Sequence, residues 1–292
     1  MNRRITWTAT AVCLVLAFVP ALAQDEEDTG WKDVAELSYV LASGNSDSSS
    51  LSLNNVLSRA WENAAFSLRA GGLRVDSTTT TNLFAVDDGI NPIAIIETEN
   101  DQTTAELYYL NGQYDRNITD RFFWQVGAGW DRNELAGVSN RYTVFGGVGN
   151  IWLDEDDHQF RTSYGLTYTD QEDVISNPLV DDSFLGARGT WNYMIGFNDT
   201  TTYGNDLVIN LNVDESDDWR ADMINWLSVQ MSERLALKVS LTHFFDNLPS
   251  LESFNVYDDN ILINPGAVLL GTNTREVDDL DTIFSAALVI NF

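Results

Sequence analysis

From Thr282 to Phe292 the chain reads TIFSAALVINF, and every second position is apolar. Phe284, Ala286, Leu288, Ile290 and Phe292 share one parity; Ser285, Ala287, Val289 and Asn291 share the other. A period of two over this length predicts a β-strand with two different faces. The same alternation recurs through the chain and predicts strands at 31–43, 48–61, 64–76, 102–115, 121–132, 140–153, 158–170, 183–197, 203–214, 219–231, 234–245 and the terminal stretch. Between them stand turn residues such as Glu62-Asn63, Asn117–Asp120, the acidic run Asp154–Asp157, Asn198–Thr202 and Ser232-Glu233.

These five connections are short, and the intervening ones are mostly longer, with two very long segments at 77–101 and 246–273. Transmembrane barrels of the bacterial outer membrane have short periplasmic turns and longer external loops, and an even strand number. The expected fold is therefore all-β: a twelve-stranded antiparallel transmembrane β-barrel, with ten strands as the alternative. A terminal strand with an apolar outward face and a terminal Phe292 suits a barrel whose last strand meets lipid and pairs with the first. It resembles the carboxy-terminal strand recognised by the barrel-assembly machinery, with Phe284, Leu288, Ile290 and Phe292 as that signal.

The amino-terminal residues fit export. Arg3 and Arg4 precede an apolar run, and Ala21-Leu22-Ala23 has the small-residue form of a cleavage site. Residues 1–23 are read as a signal peptide, 24–30 as an acidic leader and 31–292 as the barrel, with 77–101 and 246–273 as long external loops. The one cysteine, Cys13, falls inside the signal, which removes disulfide and thiol chemistry from the mature chain. The formal net charge is −28, and two of the basic residues lie in the signal. So acidic a surface repels nucleic acid and suits divalent cations at the acidic loops. Nine Trp and ten Tyr fit a membrane interface. The expected surroundings are outer-membrane lipid and lipopolysaccharide.

Gly30-Trp31, Ala35-Glu36-Leu37-Ser38-Tyr39, then Ser43-Gly44-Asn45-Ser46-Asp47 and Ser50-Leu51 resemble the opening hairpin of the salt-induced outer-membrane protein family. Gly44, Asn45 and Asp47 form its turn motif, with Ser46 where Thr is more usual. The resemblance implies an outer-membrane barrel, a link to salt or osmotic conditions, and no assigned biochemical role.

Candidate chemistry is sparse. His158 follows the acidic turn and is read as solvated; His243 shares parity with Leu237, Val239 and Leu241 and is read as an outward interfacial residue. No cofactor, metal site or catalytic group is expected. Gly127, Gly129, Gly146, Gly147 and Gly149 lack the strand–loop–helix context of a phosphate loop.

Parity instead turns Glu36, Arg69, Glu106, Arg161, Arg188, Asp206 and Lys238 toward the lumen, because an Arg or Lys facing lipid at mid-depth costs about 2–4 kcal/mol. Their mixed signs favour paired charges with a narrow pore. The expected function is a structural or narrow-pore envelope protein and not an enzyme. A solute-selective channel and an outer-membrane lipid hydrolase are the alternatives. Apolar islands beside Asn91-Pro92 and Asn264-Pro265 are expected either to pack together as a partial cap or to extend the strands.

Overall fold

The computed structural model describes residues 30–43, 48–87, 92–133, 138–175, 182–249, 251–258, 266–276 and 279–291. Residues 1–29, the turn residues Gly44, Asn45 and Asp47, the side chain of Glu106, and Phe292 lie outside the described residues.

Among the described residues there are fourteen strands. The first seven are β1 (Trp31–Ser43), β2 (Ser48–Trp61), β3 (Ala64–Asp87), β4 (Pro92–Thr119), β5 (Phe122–Asn133), β6 (Val138–Glu155) and β7 (His158–Asp173). Then come β8 (Ser183–Asn198), β9 (Thr201–Asn212), β10 (Trp219–Gln230), β11 (Leu235–Asp246), β12 (Leu251–Tyr257), β13 (Leu269–Glu276) and β14 (Leu280–Asn291). Strands β1 to β11 pair in sequence order, and β14 inserts between β11 and β1. The result is a closed antiparallel barrel of twelve strands. Its seam is β14, which runs from Val34↔Asn291 to Ser43↔Thr282 against β1 and from Leu235↔Ile290 to Phe245↔Leu280 against β11.

Both faces of each strand follow the alternation of the sequence. Leu37, Leu53, Leu166 and Leu185 are 52%, 58%, 67% and 57% exposed on the outside, whereas their neighbours Ser38, Ser52 and Thr167 are buried inside. The outer face is ringed with aromatics at the end that carries the short turns. Trp31 meets Phe66, Trp61 meets Tyr114, Tyr114 meets Trp124, and Phe160 meets Trp152, Trp191 and Tyr193. The Arg59 guanidinium sits 5.6 Å from the Trp31 ring centre and 5.2 Å from that of Trp61. Such amphipathic rings and a snorkelling cation mark a boundary between apolar and aqueous surroundings.

The short turns lie at residues 62–63, 120–121, 156–157, 199–200 and 231–234. At the fourth, Asn198 Oδ1 accepts the backbone N–H groups of Thr200 and Thr201, a side-chain mimic of a turn that fixes the hairpin.

The two long segments correct the expectation of loops. Residues 77–101 mostly continue β3 and β4 as one antiparallel ladder up to Asp87↔Pro92. Their Thr-rich run is β-branched and so favours strand, although it carries no apolar alternation to announce it. Pro92 is tolerated because it is the first residue of its strand. The 246–273 segment holds β12 and the start of β13. Strand β12 pairs in parallel with the extension of β3 through Asn255↔Phe84, Val256↔Ala85 and Tyr257↔Val86. The reason is an open edge: β2 leaves β3 at Leu51↔Arg74, and the backbone groups beyond need partners.

Candidate functional site

The interior is two-sided. Toward the β9–β14 wall it is largely apolar, with Val208, Ile224, Trp226, Phe244, Ile283, Ala287 and Val289 buried. Gly204 makes room here: a Cβ at that position would collide with the Trp226 indole, which lies flat on β9. Toward β3–β8 the buried groups are polar, among them Arg69, Asp115, Gln125, Gln159, Ser163, Thr167 and Thr169.

A cavity of ≈ 160 Å³ lies against this half and reaches across to β9 and β10. Its wall carries five arginines (Arg69, Arg141, Arg161, Arg188 and Arg220) and four aspartates (Asp115, Asp131, Asp218 and Asp222), with Phe123, Phe145, Phe184 and Val208 between them. The chain as a whole is strongly acidic, so the lumen is enriched in its few cations.

Most of these charges are paired. Arg141 grips Asp131 with two hydrogen bonds, Nε to Oδ1 at 3.1 Å and Nη2 to Oδ2 at 2.8 Å. Arg161 lies 3.5 Å from Asp115 and over the Phe123 ring at 4.3 Å. At the far rim Arg220 reaches Asp246 at 3.0 Å and Asp218 at 3.7 Å, and donates to Gln171 Oε1 at 3.0 Å. Nearby, past the last apolar positions of β7, burial holds the Asp173 carboxyl above the usual carboxylate range, against a 2.6 Å hydrogen bond from Gln171. A chain of amides and hydroxyls crosses the floor: Gln113 donates to Asp115 and Gln125, Gln125 donates to Ser163, and Ser163 meets Thr190 at 2.6 Å.

The lumen candidates from the sequence divide into groups. Arg69, Arg161 and Arg188 line the cavity. Asp206 is only 2% exposed and accepts hydrogen bonds from Asn192 at 2.8 Å and Trp226 at 3.1 Å. Glu36 and Lys238 pair with each other at 2.8 Å, away from the cavity. The aspartates opposite the arginines were not singled out from the sequence. Parity carried the signal for them: Asp115, Asp131 and Asp222 each alternate with outward apolar or aromatic neighbours. Both histidines are on the outer face, His158 edge-on to Tyr193 at 5.4 Å and His243 Nδ1 at 3.1 Å from Thr282 Oγ1. Among the described residues, no group of three His, Cys, Asp or Glu side chains is placed to hold a metal.

Three solved barrels illustrate the structural likeness. The KdgM porin, solved in complex with disordered oligogalacturonate, has 10% identity and a TM-score of 0.44, with 89% of this chain and 99% of that one covered. The NanC porin has 8% identity and a TM-score of 0.49, with 88% and 98% covered. The Pseudomonas putida toluene transporter TodX has 11% identity and a TM-score of 0.38, with 90% and 88% covered. Among curated proteins none matches. The family model described as "Protein of unknown function, DUF481" matches residues 35–264, and the chain belongs to that family.

Proposed function

We propose that the protein is an outer-membrane barrel of the Gram-negative envelope that gives small polar solutes a narrow passage and carries out no reaction. The cavity carries this reading: a charged, hydrogen-bonded space inside a closed barrel whose outer face is apolar. An apolar outer band of this kind is costly in water and suits hydrocarbon. On this reading the short turns face the periplasm, the β3–β4 extension and β12–β13 face outward, and lipopolysaccharide and phospholipid surround the wall. Divalent cations at the acidic outer segments, and reading of Phe284, Leu288, Ile290 and Phe292 by the assembly machinery, belong to the same proposal. A link to salt or osmotic conditions is supported by the likeness of the opening hairpin alone.

Conductance of the purified protein in planar bilayers tests the passage. Discrete steps are expected; a silent bilayer with correctly folded protein would mean a filled, structural barrel. The hydrolase alternative is not favoured, because His243 meets a threonine on the lipid face. Phospholipid turnover that disappears in His243→Ala would revive it.

A further inference from the structure

Among the described residues, Arg188 and Asp222 are the cavity charges left without a direct partner; Arg141 and Arg220 also act on Asp222, but each is already held by its own aspartates. Both line the cavity, and among the described residues neither makes a hydrogen bond or salt bridge. Arg188 Nε is buried without an acceptor, and the Phe145 ring lies under its guanidinium at 4.6 Å. Among the described residues, Asp222 is the carboxylate whose charge acts on Arg188.

The register explains the gap between them. Gln125, Gly147, Gly165, Arg188, Asn210 and Arg220 form one lateral row across β5 to β10. Between Arg188 and Asp222, β9 presents Asn210, level with Arg188, and Val208, level with Asp222. Asp222 is two strands away on β10, paired with Val208 and Phe244. Two strand spacings separate the backbones by about 10 Å. The opposite charges thus lie on one stretch of the cavity wall, too far apart at the backbone to pair directly, with Asn210 and Val208 of β9 between them.

A buried guanidinium N–H without an acceptor is costly and calls for one from outside the protein. The planar guanidinium fork matches a carboxylate. A simple anion bound there would face the Asp222 carboxylate and be repelled; a simple cation at Asp222 would face Arg188 as well as Arg141 and Arg220. A molecule carrying both charges meets both groups and adds no net charge to the lumen. Phe145, Phe184 and Val208 offer apolar contact for a short carbon skeleton.

We propose that the space between Arg188 and Asp222 binds a small zwitterion, an amino acid of few carbons, with its carboxylate on Arg188 and its ammonium on Asp222. As a step in permeation this rests on the narrow-passage reading; as a binding site it is tested apart from it.

Calorimetric titration of the detergent-solubilised barrel uses four probes: glycine, β-alanine, acetate and methylammonium. At least one zwitterion should bind about tenfold more tightly than either single-charge probe, and Arg188→Gln and Asp222→Asn should each weaken it by about tenfold, the size of a lost charged hydrogen bond. Acetate binding as tightly as the zwitterions overturns the proposal, as does absence of zwitterion binding or indifference to Asp222→Asn. If either variant fails to fold, the four-probe comparison on the unaltered protein decides. Liposome swelling with the same zwitterions separates the two readings. Binding without swelling removes the passage and keeps the site; swelling without binding removes the site and keeps the passage.

Discussion

The Lys238 ammonium donates a 2.8 Å hydrogen bond to Glu36 Oε1, and the two residues are 202 positions apart. They sit on β11 and β1, the strands on either side of β14. Lys238 is level with Ala287, and Glu36 with Val289. The pair therefore bridges over the terminal strand on the inside of the seam, which the small Ala287 allows. Removing one partner of a largely buried pair leaves the other charge uncompensated. Lys238→Met should lower stability by about 3 kcal/mol, read as a fall in the urea midpoint of unfolding from lipid vesicles. An unchanged midpoint would show that the seam does not depend on the bridge.

Gly165 and Gly189 make a matched pair of test sites. A Cβ on Gly165 would lie 2.7 Å from Gly147 Cα, whereas a Cβ on Gly189 meets nothing within 4 Å. Gly165→Ala should destabilise by about 1–3 kcal/mol through overpacking against rigid backbone. Gly189→Ala should be neutral or slightly stabilising, because strand glycines are entropically costly. Heat-modifiability on gels, scored for both variants, checks the difference; equal behaviour would refute the close approach of β6 and β7.

Among the described residues Leu166 is the most exposed large apolar side chain on the wall, midway along β7. In a bilayer, Leu166→Arg should cost about 2–4 kcal/mol. Unfolding from vesicles measures it. A negligible cost would place this face against water or protein and count against a lipid-facing wall.

The parallel pairing of β12 with β3 predicts a disulfide in a background lacking Cys13. Val256 and Ala85 are register partners; neighbouring strands are about 4.8 Å apart, within disulfide reach. The pair Ala85→Cys with Val256→Cys should cross-link under mild oxidation. Ile93→Cys with Leu269→Cys should not, since β4, β3, β12 and β13 put three strand spacings, about 14 Å, between them. The reverse pattern would dismiss the observed register.

Much of the barrel was legible because an apolar outer face and a polar lumen make opposite demands on alternate residues. Leu37 beside Ser38, or Leu166 beside Thr167, announces both the strand and its facing. The lumen orientation of Arg69, Arg188 and Asp206 follows from the same parity. What sequence could not supply was depth and distance across the barrel. Nothing in the spacing of Arg188 and Asp222 sets them on one stretch of cavity wall without a direct partner, because that depends on the stagger of three strands. The strand extension through residues 77–101 was hidden for a different reason. Its backbone ladder continues where the apolar alternation fades, so its pattern resembles a polar loop.

The β12–β3 ladder also has a consequence in time. The hairpin of β3 and β4 is local and can form early, yet the edge of its extension waits for a strand more than 160 residues later, Phe84 for Asn255. Until then the edge is open to whatever strand arrives first, including the same edge of another chain. Parallel pairing over so long a separation is slow. The last step of maturation should therefore be the docking of this hairpin after the ring has closed, and crowded unfolded chains should lose their way at the same place.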